Sequence, residues 1–278
     1  MIRYLEDHEK TRTKALYREA FPEDPDAFVE YYYSYVTRDN QMLVLEQDGE
    51  LCSMLHLNPY RLSVGGEKTD AYYYVAVATK ADYRHQGMMR KLLHRSLKDI
   101  HHKGHPFTYL MPANKAIYEP FDFRIVYRQE KVELPMEPEA ANEKMSELFD
   151  VYTLWDAWYV EKQAEETKVC AGEPPFDIVP YIMARITHVE KMLSFMRSEE
   201  PMQVTLQVRD EIISGNNGTY AWKISPEESI CRKISEDPQD AAMTIGIAEL
   251  TEFVFGRKMM EGLEKIKTLS RICINEAV

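Results

Sequence analysis

Residues 74–97, YVAVATKADYRHQGMMRKLLHRSL, constrain the chain more than any other stretch. A hydrophobic strand runs into a polar turn carrying Arg84, His85, Gln86 and Gly87, and that turn opens a helix. Met89, Leu92, Leu93, Leu97 and Ile100 recur at helical spacing and define one apolar face. A glycine where a helix begins leaves several amides without intrahelical partners and pointing outward. With the helix dipole these amides form an anion site, for which a pyrophosphate is the usual occupant. Taken alone, the glycine fits an ordinary strand–turn–helix connection equally well.

The chain around this stretch has 278 residues, enough for two domains. With 45% hydrophobic and 29% charged residues it has a soluble globular composition. No window approaches 18 consecutive apolar residues, so no membrane span is expected. The opening MIRYLEDHEKTRTK lacks the apolar core of a signal peptide, which points to a cytoplasmic location. A net charge of −12 argues against general nucleic-acid binding, which needs a basic face. The same charge suits a cationic substrate, although solubility is the simpler explanation. Cys52, Cys170, Cys231 and Cys273 lie far apart, with no CxxC pair, and suggest neither a zinc site nor a disulfide framework.

In order, the chain reads as a short strand at 2–4, a helix over 8–20, and a second helix opening near Asp24 and Pro25. An antiparallel meander follows, turned at Asp48-Gly49 and Gly65-Gly66. After the long helix, Gly104 and Pro106 give a stop, PFTYLM a strand, and residues 112–120 a short helix. RIVYRQEKVELP, residues 124–135, reads as a closing strand. Alternating strands and helices on a mixed sheet predict an α/β domain over residues 1–135.

Two segments in this domain resemble a known family. Arg84-His85-Gln86-Gly87-Met88-Met89 resembles the Q/R-x-x-G-x-G/A acyl-CoA signature of the GNAT N-acetyltransferases. Downstream, NKAIYEPFDF, from Asn114 to Phe123, resembles that superfamily's N…A…Y-E-x-x-G-F segment. Met89 departs from the final small residue, and Asp122 stands where glycine is usual, at a turn that aspartate tolerates. The likeness is greater to the enhanced-intracellular-survival (Eis) type, which joins a GNAT domain, a second GNAT-like region and a sterol-carrier-like domain. Residues 136–179 are too short for a complete second GNAT domain and read as an acidic helical connector, with one helix over about 140–165. Residues 180–278 resemble the sterol-carrier-like α+β domain: YIMARI and a helix at entry, a meander, a strand leading into a helix, and a terminal strand.

The resemblance implies acetyl transfer from acetyl-CoA to a primary amine of a cationic acceptor such as an aminoglycoside, a polyamine or a lysine side chain, with no metal. The turn from Arg84 through His85, Gln86, Gly87 and Met88 to Met89 would hold the pyrophosphate by backbone amides. Val75, Ala76 and Val77 would pair with the pantetheine arm and offer an amide to the thioester oxygen, and Asn114 would add a polar contact. Tyr118 is the candidate general acid, a phenol of pKa near ~10 that could protonate the leaving thiolate. In Eis-type enzymes the terminal carboxylate reaches back into the site, a role that would fall here to Val278. Against these stand a half-buried packing tyrosine and a frayed tail.

Asp24, Asp26 and Glu30 fit either a solvated helix face or recognition of the amine. His101, His102 and His105 sit at a helix end, where positive charge is favourable, and read as solvated rather than metal-binding. Homo-oligomers occur among Eis-type proteins and are compatible with the chain. A rival reading is a non-catalytic protein that holds acyl-CoA or a lipid on the same scaffold.

Overall fold

The computed structural model describes residues 1–130, 132–170, 180–235 and 243–274. The N-terminal part consists of β1 (Ile2–Tyr4), α1 (Lys14–Ala20), α2 (Asp26–Ser34), β2 (Gln41–Gln47), β3 (Glu50–Val64), β4 (Glu67–Thr79), α3 (Met88–His102), β5 (Phe107–Leu110) and β6 (Arg124–Arg128). The expected first helix begins as a 3-10 segment at Asp7–Thr13 before becoming α1. The meander forms as the turn residues dictate. Asp48 and Gly49 both take positive φ, 52° and 82°, the geometry of a tight hairpin turn. At Gly65 a Cβ would lie 2.4 Å from the Phe195 carbonyl oxygen, so the second hairpin tolerates no side chain there.

The connector is not one helix. It contains α4 (Pro138–Leu148), β7 (Val151–Thr153) and α5 (Ala157–Val169). The break falls where Asp150 accepts bonds from the Arg271 amide (3.0 Å) and guanidinium (2.6 Å). Val-Tyr-Thr, a sequence suited to pleated backbone, then pairs with Leu62–Val64 of β3. The closing strand expected over 124–135 ends at Arg128.

Beyond the connector lie β8 (Tyr181–Ile186), α6 (Val189–Ser194), β9 (Arg197–Ser198), β10 (Met202–Arg209), β11 (Gly218–Ile224), β12 (Ser229–Ser235), β13 (Met243–Gly246), α7 (Ile247–Val254), β14 (Ile266–Lys267) and β15 (Ile272–Cys273). Strand β8, expected as the entry to the C-terminal domain, sits in the N-terminal sheet between β5 and β6, antiparallel to both. Its residues Ile182 to Ile186 are buried, as befits a central strand covered on both faces. The main sheet runs β1-β2-β3-β4-β5-β8-β6, and β7 and β15 extend it beside β3.

The C-terminal sheet is ordered β12-β11-β10-β13, antiparallel except for β10 with β13. Trp222 is fully buried in one core with Tyr73 and Phe107 of the main sheet. On the opposite face, α3 packs Leu92, Leu93, Leu97 and Ile100 against Leu55, Leu57, Tyr72 and Tyr74. Helices α1 and α2 cover the other side of β4 around Ala76 and Ala78.

Candidate active site

The geometry begins with an irregularity in β4. Met54 pairs with Ala78 and His56 with Val75, so Ala76 and Val77 together face Leu55 alone. This is a β-bulge, with Ala76 at φ 49°, a conformation that costs a residue bearing a Cβ about 1–2 kcal/mol. On its other edge β4 pairs with β5 only over Tyr72–Tyr74. From Val75 onward β4 has no strand partner on that edge among the described residues.

The chain then turns through a 3-10 segment at Ala81–Tyr83 into α3. Arg84 Nε donates to the Thr79 carbonyl (3.2 Å) and Gln86 Nε2 to that of Asp82 (3.1 Å), which fixes the exposed turn. His85 and Gly87 both take positive φ, 61° and 73°, and no atom lies within 4 Å of where a Gly87 Cβ would be. Lys91 is the first to bond into the helix, to the Gly87 carbonyl at 3.1 Å. The amides of Met88, Met89 and Arg90 precede that bond and point out of the helix start. Met88 is buried in the α3 core and Met89 packs partly against it, which accounts for a large side chain where the motif has a small one.

Facing this helix start is the segment after β5. Two 3-10 turns, Lys115–Ile117 and Glu119–Phe121, replace the single short helix expected there, and Tyr118 joins them. Asn114 caps the first turn by accepting from the Ala116 amide at 3.0 Å. Tyr118 is buried with Tyr74 and Leu110 and lies edge-on to Phe123 at 6.0 Å. Burial pushes its phenol up to about 12, so the hydroxyl keeps its proton through the neutral range. No hydrogen bond to that hydroxyl occurs among the described residues. Asp122 takes φ 64°, the left-handed turn conformation that glycine serves in the motif.

The far face of β4 carries a different chemistry. His56, directly opposite Val75, is fully buried, accepts or donates a 2.8 Å bond with the Tyr32 hydroxyl, and is held neutral by desolvation, its pKa pushed down to about 3. Asn58 and Tyr60 follow on the same face of β3 and reach a cavity of about 460 Å³ lined also by Asp39, Trp158, Tyr159 and Lys162. Lys162 is buried, bonds the Tyr60 hydroxyl and lies 4.5 Å from that ring's centre. One helical turn on, Glu166 has a buried carboxylate oxygen without a partner among the described residues, and burial raises its pKa to about 7.

Residues 1–126 match the family described as acetyltransferase (GNAT) domain, and residues 189–277 that described as sterol carrier protein domain. The N-terminal domain belongs to the GNAT acetyltransferases. Among solved structures, a probable N-acyltransferase from Enterococcus faecalis is 14% identical, with 99% of this chain and 97% of that chain covered at a TM-score of 0.73. Eis1 from Mycobacterium abscessus is also 14% identical, with 97% and 94% covered at 0.68. A GCN5-related N-acetyltransferase from Anabaena variabilis is 12% identical, with 96% and 94% covered at 0.67. No curated protein matches the chain at the level of sequence.

Within the GNAT domain, Val77, Met88, Met89 and Tyr118 meet in one apolar cluster on the α3 side of the sheet, whereas Ala76 packs with α1 and α2 on the other. Asp24, Asp26 and Glu30 lie on the α1–α2 side, and each carboxylate already has a partner. Tyr17 donates to Asp24 at 2.7 Å, Arg18 pairs with Asp26, and Lys14 pairs with Glu30 at 2.5 Å. Val278 lies outside the described residues. His101 Nδ1 bonds the Thr187 carbonyl (2.8 Å) and His105 Nδ1 that of Asp70 (2.7 Å). No group of metal-binding side chains occurs among the described residues, and no described helix is long and apolar enough to cross a membrane.

Sequence reading did not single out the bulge, His56, Glu166 or Arg185. The bulge is invisible because it is a register effect between two strands. Arg185 did leave a signal, as the lone charge in the apolar run YIMARI.

Proposed function

We propose that the chain transfers the acetyl group of acetyl-CoA directly to a primary amine of a cationic acceptor bound in the same ternary complex. The observation that carries this reading is a juxtaposition: an open strand edge at a bulge, a left-handed glycine at a helix start, and a buried protonated phenol on one side of the sheet. Backbone amides of Met88, Met89 and Arg90 bind the pyrophosphate. The open edge at Val75–Val77 pairs with the pantetheine arm, and an amide freed by the bulge polarises the thioester carbonyl. Attack by the neutral amine forms the C–N bond, and collapse of the tetrahedral adduct breaks the C–S bond. Tyr118 gives its proton to the departing thiolate, and the attacking nitrogen gives up its own to a base.

The amine enters from the opposite face, through the cavity that Asn58, Tyr60, Trp158 and Lys162 line. Support comes from the polar row of His56, Asn58 and Tyr60, which leads from the bulge to the cavity beneath α5. The terminal carboxylate of Val278 is the proposed base, or holds the ammonium for a water to deprotonate. Cys273, five residues before Val278, borders a second cavity with Tyr159 and Gln163 of α5.

The test is release of free CoA from acetyl-CoA across a panel of polyamines, aminoglycosides and lysine peptides, for the wild type and Tyr118→Phe. Amine-dependent release that is strongly reduced in Tyr118→Phe is expected. Tight acetyl-CoA binding with no turnover on any amine would instead favour the non-catalytic binding protein.

A further inference from the structure

The segment that carries Tyr118 is tied to the C-terminal domain through one buried ion pair. Arg185 is the only charged residue of β8, and its side chain is fully buried. Its Nε donates to the Phe121 carbonyl at 2.8 Å and its Nη1 to that of Ile186 at 3.0 Å. Its Nη2 reaches Asp210 Oδ1 at 2.6 Å and lies 3.6 Å from Asp122 Oδ2. Asp210 is equally buried and is anchored in the turn after β10. Its Oδ1 accepts from the amides of Ile212 (2.9 Å) and Ile213 (2.8 Å), and its Oδ2 from Asn216 Nδ2 (2.9 Å).

On the other side of the guanidinium, Phe121 donates its amide to the Tyr118 carbonyl at 2.9 Å. Ile212 and Ile213 pack in the same apolar cluster as Met88, Tyr118 and Phe121. A turn of the C-terminal domain therefore supports the tyrosine segment from below, with Arg185 as the connection. The aspartate in place of the motif's glycine finds a reason here, because its carboxylate is the segment's own arm toward Arg185.

We infer that Arg185, held by Asp210, positions Tyr118, so that the C-terminal domain sets the direction of the phenol. A buried ion pair adds little net stability over apolar packing of the same volume. What this one supplies is a fixed donor for the Phe121 carbonyl, three residues from the phenol. The inference rests on Tyr118 as the acid.

The experiment replaces the pair together, Arg185→Met with Asp210→Leu, which removes both charges of the fully buried pair and leaves the partly exposed Asp122 without its cation. Three readings are taken: steady-state kinetics, thermal melting, and amide hydrogen exchange over residues 115–123. A melting temperature below that of the wild type, since the Phe121 carbonyl and the Ile212 and Ile213 amides lose their partners, faster exchange over 115–123, a kcat reduced by about 10- to 100-fold and a KM for acetyl-CoA within about twofold are expected. In a Tyr118→Phe background the same pair should cost no further kcat, because its effect passes through the phenol. A kcat within about twofold of wild type, or an undiminished loss in that background, would overturn the inference.

If the double variant does not fold, Arg185→Lys and Asp122→Gly are measured instead. Lysine keeps the charge toward Asp210 but loses the forked donor, and glycine keeps the turn but loses the arm. Both should reduce kcat, Arg185→Lys the more, and wild-type kcat in Arg185→Lys overturns the proposal. Should Tyr118→Phe alone leave kcat unchanged, the acid reading fails by itself. Exchange over 115–123 then decides separately whether the pair holds the segment, and unchanged exchange in the variants would refute it.

Discussion

Replacing Glu166 by glutamine isolates the cost of a carboxylate that α5 buries beside α2. One of its oxygens is buried without a partner among the described residues, and desolvation outweighs the attraction of Lys162, raising the pKa from 4.5 to about 7. Between those two values the folded chain holds a proton that the unfolded chain has released, so stability falls as pH rises through this window. Above it the whole difference is in force, about 3 kcal/mol at most. Glutamine is neutral and of the same shape, so it removes the cost only where the carboxylate would be charged. Thermal melting at pH about 4.5 and about 8.5 reads this out: the variant should match the wild type at the lower pH and melt about 6–10 °C higher at the upper one. Equal melting differences at the two pH values would refute the reasoning, since a packing effect has no reason to follow this titration.

Tyr118→Phe should lower kcat by about 10²–10³ while changing stability by less than about 0.5 kcal/mol, because the hydroxyl makes no hydrogen bond among the described residues; kinetics and melting check the two together. Gly87→Ala meets no neighbouring atom but must hold φ 73°, so a loss of about 1–2 kcal/mol on denaturation and a raised KM for acetyl-CoA are expected. Removing residues 275–278 should reduce amine-dependent CoA release without shifting the melting temperature, and full activity would exclude the tail from the chemistry.

The helix start at Gly87 and the turns around Tyr118 were largely legible because their signals are local. Gly87 followed by an amphipathic run gives a helix start whatever packs around it, and NKAIYEPFDF fixes its own turns through Asn114 and the left-handed Asp122. The surroundings of the acidic residues were not. Asp24, Asp26 and Glu30 look like free acids in the sequence, but Tyr17, Arg18 and Lys14 lie within bonding reach once α1 and α2 pack together. The connector read as one helix because its composition favours one. Pairing of Val151–Thr153 with β3 overrode that preference, since tertiary hydrogen bonds and burial outweigh a few tenths of a kcal/mol per residue.

By itself the sequence determined the N-terminal fold class, the helix start at Gly87, the turns of the tyrosine segment and the C-terminal meander, because each follows from neighbours within a few residues. The tertiary structure alone decided that Tyr181–Ile186 completes the N-terminal sheet, that Ala76 and Val77 bulge from β4, and that Arg185 joins Asp210 to the segment carrying Tyr118. Strand partner, register and the pairing of a buried charge depend on residues tens of positions apart. No local preference encodes them, and they are settled only when the two sheets close over a shared core.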